Sequence, residues 1–496
     1  MKLKLRAFLA VGAFLLVLES LPFVFAWLEN TRCRREWESY NRRLTAQGEQ
    51  LDFAALIPSQ IPDEKNFAMT RLLKPLLDDK SSRKNGDVVR RDELPVGKID
   101  VFMTGAHSNM PKLATWVSGR PFDYHELEAY FLSGSAGLKA SGRPEETVLA
   151  VFGKFDAEIA ELRDEAARRP LSRIPLKYEE GYAMSFEYAT CVMSVEKVIA
   201  LRAGAELHLG RGADAMEDIR FAFRLMDSVA NQPVLPLGTD RCLMLTFAMQ
   251  PVWEGIVAHR WTDGQLAQIE TALRQLDFLR DYGYYLRADR AYINWIFSKL
   301  CADSGRPVRL LTPWSNLERD FESMRGKWTC DGIVYHDLAA LNRIVQEDLL
   351  PVADAGRRRF DCARQETNEG LLPTYQAKGR VEFIVNGLLS EYVGLARYFA
   401  AAEVNADEAL IACEIERYRL AHGTLPATLE ALQTQGLPHD IMNGQPLHYK
   451  LDGVDNYLLY SVGLNGMDDG GTVVFKPGTT YIRYDKGDWV WSLKPL

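Results

Sequence analysis

A mainly α-helical chain with a small α+β unit at its C-terminal end is predicted by three features of the sequence. Apolar residues recur at helical spacing from about residue 120 to 400. Near the start, Ala7 to Leu18 is continuously apolar. After Leu447 the period changes to two, in short segments separated by Asn-Gly and Asp-Gly turns. Apolar residues make up 47% of the 496 and charged residues 25%, which excludes a disordered chain. That length suggests about two to four structural units. Four segments are expected: an N-terminal hydrophobic helix over 1–30, an extended, loop-rich linker over 31–119, a helical domain over 120–402 and an α+β domain over 403–496.

At the N-terminus, Lys2, Lys4 and Arg6 precede the apolar run, and after Glu19, Ser20 and Pro22 the segment Phe23–Leu28 resumes it. Taken whole, residues 7–28 would span roughly 33 Å as a helix, enough for a hydrocarbon core. Taken in two parts, the first is a signal-peptide core and Val24-Phe25-Ala26 a cleavage pattern. Glu19 favours cleavage, whereas Trp27 with Arg32, Arg34 and Arg35 favours an anchor. Both readings place the bulk of the chain outside the cytoplasm. The anchored one predicts a single-pass protein of the cell envelope, in contact with the membrane through residues 7–28.

The linker region is punctuated by Pro58, Pro62 and Pro75, and Lys80 to Glu93 reads as an exposed charged loop. The helical region begins at Phe122, with Asp123 as its cap. Glu145 to Arg169 places Val148, Val151, Phe155, Ile159 and Leu162 on one face of a single helix, ended by Pro170. Ala183 to Leu209 and Ala213 to Val229 form a helical hairpin around Gly210-Arg211-Gly212. A helix capped by Thr262 or Asp263, an aromatic helix over 281–300 and an apolar helix over 381–402 follow. In the hairpin, Ala215, Ile219 and Ala222, with small Ala203 and Ala205, resemble a tetratricopeptide unit over 183–230, though no second copy recurs at a fixed period.

In the last segment Asn405 and Glu408 form a capping-box-like start. The helix passes Cys413, Ile415 and Tyr418 and closes at His422-Gly423, the glycine suiting a left-handed cap. A short helix carries Leu429 and Leu432. Strands over 447–451 and 457–462, a glycine-rich acidic loop over 463–471, and closing strands over 472–475 and 488–491 complete it.

The order of these parts resembles the soluble domain of type II secretion major pseudopilins. Ile415–Arg419, His422-Gly423-Thr424-Leu425-Pro426, Leu429–Leu432, Asn443–Tyr449 and Leu459–Gly463 with Asn465-Gly466 carry the likeness. In that family the acidic loop holds calcium. The resemblance therefore implies Asp468 and Asp469 as calcium ligands, helped by backbone carbonyls, although the same residues would serve equally as a solvated acidic turn. The family's glycine–glutamate processing motif is missing, since Gly12 precedes Glu19 by seven residues. The likeness thus implies a borrowed terminal module rather than a pilus subunit.

No motif fixes a chemistry. His125-Glu126 lacks the second histidine of a zinc helix, and Ser133–Gly137 lacks the glycine spacing of a nucleophile elbow. No phosphate-binding glycine loop occurs. Paired carboxylates such as Glu179-Glu180 belong on solvated faces, and His208, His259 and His422 fall at helix ends, as caps or half-buried rings. No pair of the seven cysteines has C-x-x-C spacing. Buried single thiols are the expectation, with a bridge among Cys301, Cys330 and Cys362 as the alternative. A net charge of −8 argues against a general nucleic-acid binder. The function expected is a non-enzymatic scaffold or interaction protein with an envelope protein partner, with no certain cofactor beyond the implied calcium. The alternative is a hydrolase whose dispersed site lies among the helices.

Overall fold

In the computed structural model, residues 2–77, 91–104, 110–113, 115–134, 139–140, 142–302, 331–377, 383–477 and 482–495 are described. The architecture is mainly helical, with a small sheet portion near the C-terminus. The charged loop expected at 80–93 lies outside the described residues up to 90, as do Cys330 and the side chain of Cys301.

Helix α1, Lys2–Ala46, contains residues 7–28 and continues through Glu29, Arg32, Arg34 and Arg35 without a break. Its second half packs on α11, Asp331–Ile344. There the Gly332 amide donates to Asn30 Oδ1 at 2.7 Å, and Trp37 meets Tyr335 at 5.3 Å between ring centroids. This corrects the expected single-pass location. Among the described residues no helix is long and apolar enough to cross a membrane. The physical reason lies in the sequence of α1: Glu19 interrupts its apolar run, and charges in hydrocarbon are costly.

The middle of the chain is a stack of helices: α2 (Pro95–Thr104), α3 (Tyr124–Gly134), α4 (Pro144–Gly153), α5 (Asp156–Arg168), α6 (Glu187–His208), α7 (Gly212–Ser228), α8 (Leu235–Val257), α9 (Asp263–Leu273) and α10 (Phe278–Ala302). Asp123 caps α3 as expected, accepting from the Glu126 amide at 2.9 Å. The single helix expected over 145–169 is two. The chain bends at Lys154-Phe155, where Phe155 drops into the core instead of continuing the helical φ/ψ. The α6–α7 hairpin turns at Gly210, whose φ of 79° suits glycine. Thr262 caps α9 in a reciprocal capping box with Gln265. Helix α6 is the hub of this part, packing against α2, α4, α7 and α8.

After α11, a two-residue hairpin of β1 (Ala353–Asp354) and β2 (Arg359–Phe360) leads into α12, Cys362–Ala377. Helix α13 then runs 40 residues, Phe383–His422. The capping-box start expected at Asn405 is corrected: Asn405 to Glu408 lie mid-helix, because Val404, Ala406 and Ala409 on either side are buried and the helix continues between them. The boundary expected at 402/403 therefore falls within one helix. Gly423 ends it at φ 76°.

Antiparallel strands β3 (His448–Leu451), β4 (Tyr457–Ser461) and β7 (Trp489–Ser492) form a sheet with β4 central, in register His448↔Tyr460 and Ser461↔Trp489. A second pair, β5 (Val473–Phe475) and β6 (Ile482–Gly487), flanks it. Helix α13 packs on α8, α9, α10, α11 and α12 and on β4 and β7. Trp253 of α8 donates to the Ser492 carbonyl at 2.8 Å, and Trp116 meets Trp491 at 5.4 Å, so sheet and helices share one apolar core.

Candidate functional site

The acidic loop after β4 is organised by backbone amides. Asp488 has no exposed surface, and its carboxylate accepts from the amides of Asp469 at 3.2 Å, Gly471 at 2.7 Å and Thr472 at 3.3 Å. Asp468 accepts from the Gly470 amide at 2.9 Å and the Tyr460 hydroxyl at 3.0 Å, with His448 Nδ1 3.5 Å away. The Gly470 amide bond, ahead of Tyr460 and His448, holds the Asp468 carboxyl below the usual range. Asp469 accepts from the Asn465 side-chain Nδ2 at 2.8 Å. Calcium needs six to eight oxygens turned inward. Here N–H and O–H donors face the carboxylates instead, so in this conformation the residues do not fit a calcium cage. Among the described residues no group of three His, Cys, Asp or Glu is placed to hold a metal.

Helix α13 carries a row of buried acids. Arg358, at the β1–β2 turn with φ of 50°, reaches Glu403 at 2.7 Å and both oxygens of Asp407 at 2.8 Å. Burial raises both carboxyls, and the charge of Glu403 adds to the rise at Asp407. Farther along, Arg417 reaches Asp263 and Glu270 of α9 at 2.8 and 3.2 Å. Glu270 is pushed up to about 7 by burial and by Glu414. Glu416 takes His259 Nδ1 at 3.0 Å and Arg419 at 2.7 Å. Burial would raise its carboxyl, but Arg419 and His259 outweigh that and lower it. Each of these contacts joins α13 to another element or closes one of its own turns.

A third cluster is the most chemically unusual. His208, the last residue of α6, sits between two glutamates: Nδ1 lies 3.2 Å from Glu145 of α4 and Nε2 3.3 Å from Glu254 of α8. Glu254 is almost fully buried, and its other oxygen accepts from the Phe122 amide and the Gln250 side chain, both at 2.7 Å. The Tyr124 ring stands edge-on to the imidazole at 5.0 Å, and its hydroxyl donates to the Leu201 carbonyl. Arg143 donates to the His208 carbonyl at 3.1 Å and approaches Glu145 at 3.4 Å. Burial disfavours the charged ring, but Glu254 and Glu145 outweigh it and raise the His208 pKa. Gly204, one turn earlier, makes room: a Cβ there would meet the Tyr124 hydroxyl and lie 3.1 Å from Glu254.

No protein family, curated protein or solved structure matches this chain.

The remaining residues singled out in the sequence are placed in structural roles. Glu126 belongs to the first turn of α3, and Ser133 donates to the Tyr130 carbonyl; residues 135–137 lie outside the described set. Glu179 and Glu180 are exposed in a 3₁₀ turn, and His422 Nδ1 contacts the Tyr418 carbonyl at 3.0 Å. Cys33, Cys191, Cys242 and Cys413 are buried, and Cys362 is half-buried. Sequence reasoning placed His208 and His259 at helix ends but paired neither with its glutamates, which lie dozens of residues away in the chain. Only the small residues Ala203 and Ala205, flagging close approach, hinted at the site around Gly204.

Proposed function

We propose that this protein is a non-enzymatic interaction scaffold whose helical body carries a C-terminal pseudopilin-like α+β module in fixed orientation for a protein partner. The observation that supports this reading is the continuity of α13. Its N-terminal half lies in the helical core, and its C-terminal half is the helix on which β4 and β7 pack. A continuous helix tied to the β1–β2 turn through buried Glu403 and to α9 through buried Glu270 resists bending between body and module. The order of the module's parts matches the pseudopilin likeness, with a left-handed Gly423, a short turn at Leu429–Leu432 and the β3–β4 hairpin.

Acid–base catalysis at His208 is disfavoured by the same geometry that makes the residue conspicuous. Both ring nitrogens face carboxylates, so neither is free to take a proton from a substrate.

The module exposes Val454 in its β3–β4 turn and Met467 in the acidic loop, which makes these the contact points to test. Photo-crosslinking residues at Val454 and Met467, compared with one at exposed Glu217 on α7, address the proposal in cells making the full chain. A discrete partner captured from the module positions and not from Glu217 supports it. Equal capture at all three, or capture of nothing, overturns it.

A further inference from the structure

We propose that His208 is a proton-controlled latch that fastens the start of α4 to α8 when the imidazole is doubly protonated and lets it go when the ring is neutral. An ionised carboxylate only accepts hydrogen bonds, and a neutral imidazole has one N–H. Nδ1 hydrogen-bonds Glu145 at 3.2 Å, and the buried Glu254 Oε2, which has no hydrogen-bond partner, lies 3.3 Å from Nε2 in ion-pair range, so only the imidazolium presents a positive N–H to both carboxylates. When the proton leaves to solvent, one nitrogen presents a lone pair to a carboxylate oxygen, and that contact turns from attraction to repulsion.

The two glutamates differ in their freedom to respond. Glu254 is held from the other side by the Phe122 amide and Gln250, within a helix that is buried along most of its length. Glu145 stands in the first turn of α4, retains 11% side-chain exposure and has Arg143 as a second partner. The α4 side is thus the one that opens. The groups facing His208 are Glu145 and Arg143 from the α4 end, Glu254 from α8 and Tyr124 from α3.

The direction of the pH dependence follows from the raised folded-state pKa. Stability supplied by such a group is complete below its unfolded value of 6.5 and is lost as pH climbs through the folded value. The latch is closed in mild acid and open in mild alkali, at the C-terminal end of the hub helix α6, where α3, α4 and α8 converge.

The test is hydrogen exchange of the full chain between pH 6 and 9, corrected for intrinsic rates, read at the amides of α4. In wild type, protection there should fall steadily from the acid to the alkaline end of the range, while α10 stays level. His208→Gln should show low protection at every pH. Glu145→Gln, which a neutral ring can satisfy, should keep protection and flatten its pH dependence. If wild-type α4 protection does not change with pH, or if His208→Gln retains the wild-type slope, the latch is wrong. Should His208→Gln not fold, the Glu145→Gln profile and an NMR titration of the His208 ring decide the matter alone.

Discussion

Asn294 of α10 and Asn342 of α11 exchange side-chain hydrogen bonds in both directions, at 3.0 and 2.7 Å, inside the buried seam between their helices. Asn342 also donates to the Leu338 carbonyl at 2.6 Å. In an apolar seam the pair fixes the register of the two helices, because sliding either would leave an amide without a partner. Asn342→Ala should destabilise the protein by about 2–3 kcal/mol, combining a small cavity with an unsatisfied Asn294. The double change to leucine at both positions should recover much of that loss. Urea denaturation of the three variants measures it, and a double variant no better than the single would show that the amide pair is not the source.

A methyl group at position 204 tests the packing around His208. The Cβ of Gly204→Ala would run into the Tyr124 hydroxyl and crowd Glu254 and Phe122. Strain of about 1–3 kcal/mol is expected from overpacking at a well-filled position. Tyr124→Phe removes the obstructing oxygen and gives up a hydrogen bond to Leu201. In the Gly204→Ala background it should be less harmful than in wild type. A thermal melt of each single and the double variant gives the coupling, and additive effects would exclude this contact as the cause.

How much of this was legible in the sequence depended on whether a segment was half-buried or fully buried. The α6–α7 hairpin shows apolar faces and a Gly turn, and its predicted ends fall within a few residues of the observed ones. Helix α8 has no polar face for most of its length, so its sequence carries no helical period, and Pro236 and Pro251 look like breaks. Asn405 and Glu408 have the spacing of a helix start, yet tertiary burial on both sides carries α13 straight through them. Strand β6, Ile482–Gly487, is charged and only partly buried, so alternation does not reveal it. Of the site, the glycine-rich acidic loop was visible from its composition. Its partners were not, because His448 and Tyr460, which face Asp468, come from β3 and β4, and Asp488, which accepts from the loop amides, comes from the β6–β7 turn.

Arg358 is the cation that neutralises the Glu403–Asp407 pair on α13. Arg358→Met would keep the unbranched apolar stem but lose the guanidinium, leaving two raised carboxyls without it. A loss of about 2–3 kcal/mol is expected at pH 8. That is below the roughly 3–5 kcal/mol of a fully buried broken pair, because the guanidinium is 41% exposed. Since burial already lifts both acids, each takes up a proton readily once the cation is gone. Stability of the variant should therefore rise toward wild type as pH falls to 5, whereas a simple packing defect would persist. Chemical denaturation at both pH values distinguishes the two.

The acidic loop supplies a last prediction, in which two kinds of loop organisation give opposite results. If calcium held the loop, chelator would lower the melting temperature, and Asp468→Ala or Asp469→Ala would abolish that shift. The structure shows the loop closed by Asp488 accepting three amides, with Asp468 capping Gly470 and Tyr460. A buried carboxylate on several amides is a strong, charge-assisted arrangement that needs no ion. Chelator and added calcium should both leave the melt of wild type unchanged. Asp488→Ala should destabilise by about 1–3 kcal/mol, since three loop amides lose their shared buried acceptor together. Asp468→Ala, whose side chain is 47% exposed, should have a smaller effect. A calcium-dependent rise in melting temperature that disappears in Asp468→Ala would show instead that the loop rearranges its donors outward and turns these oxygens toward the metal.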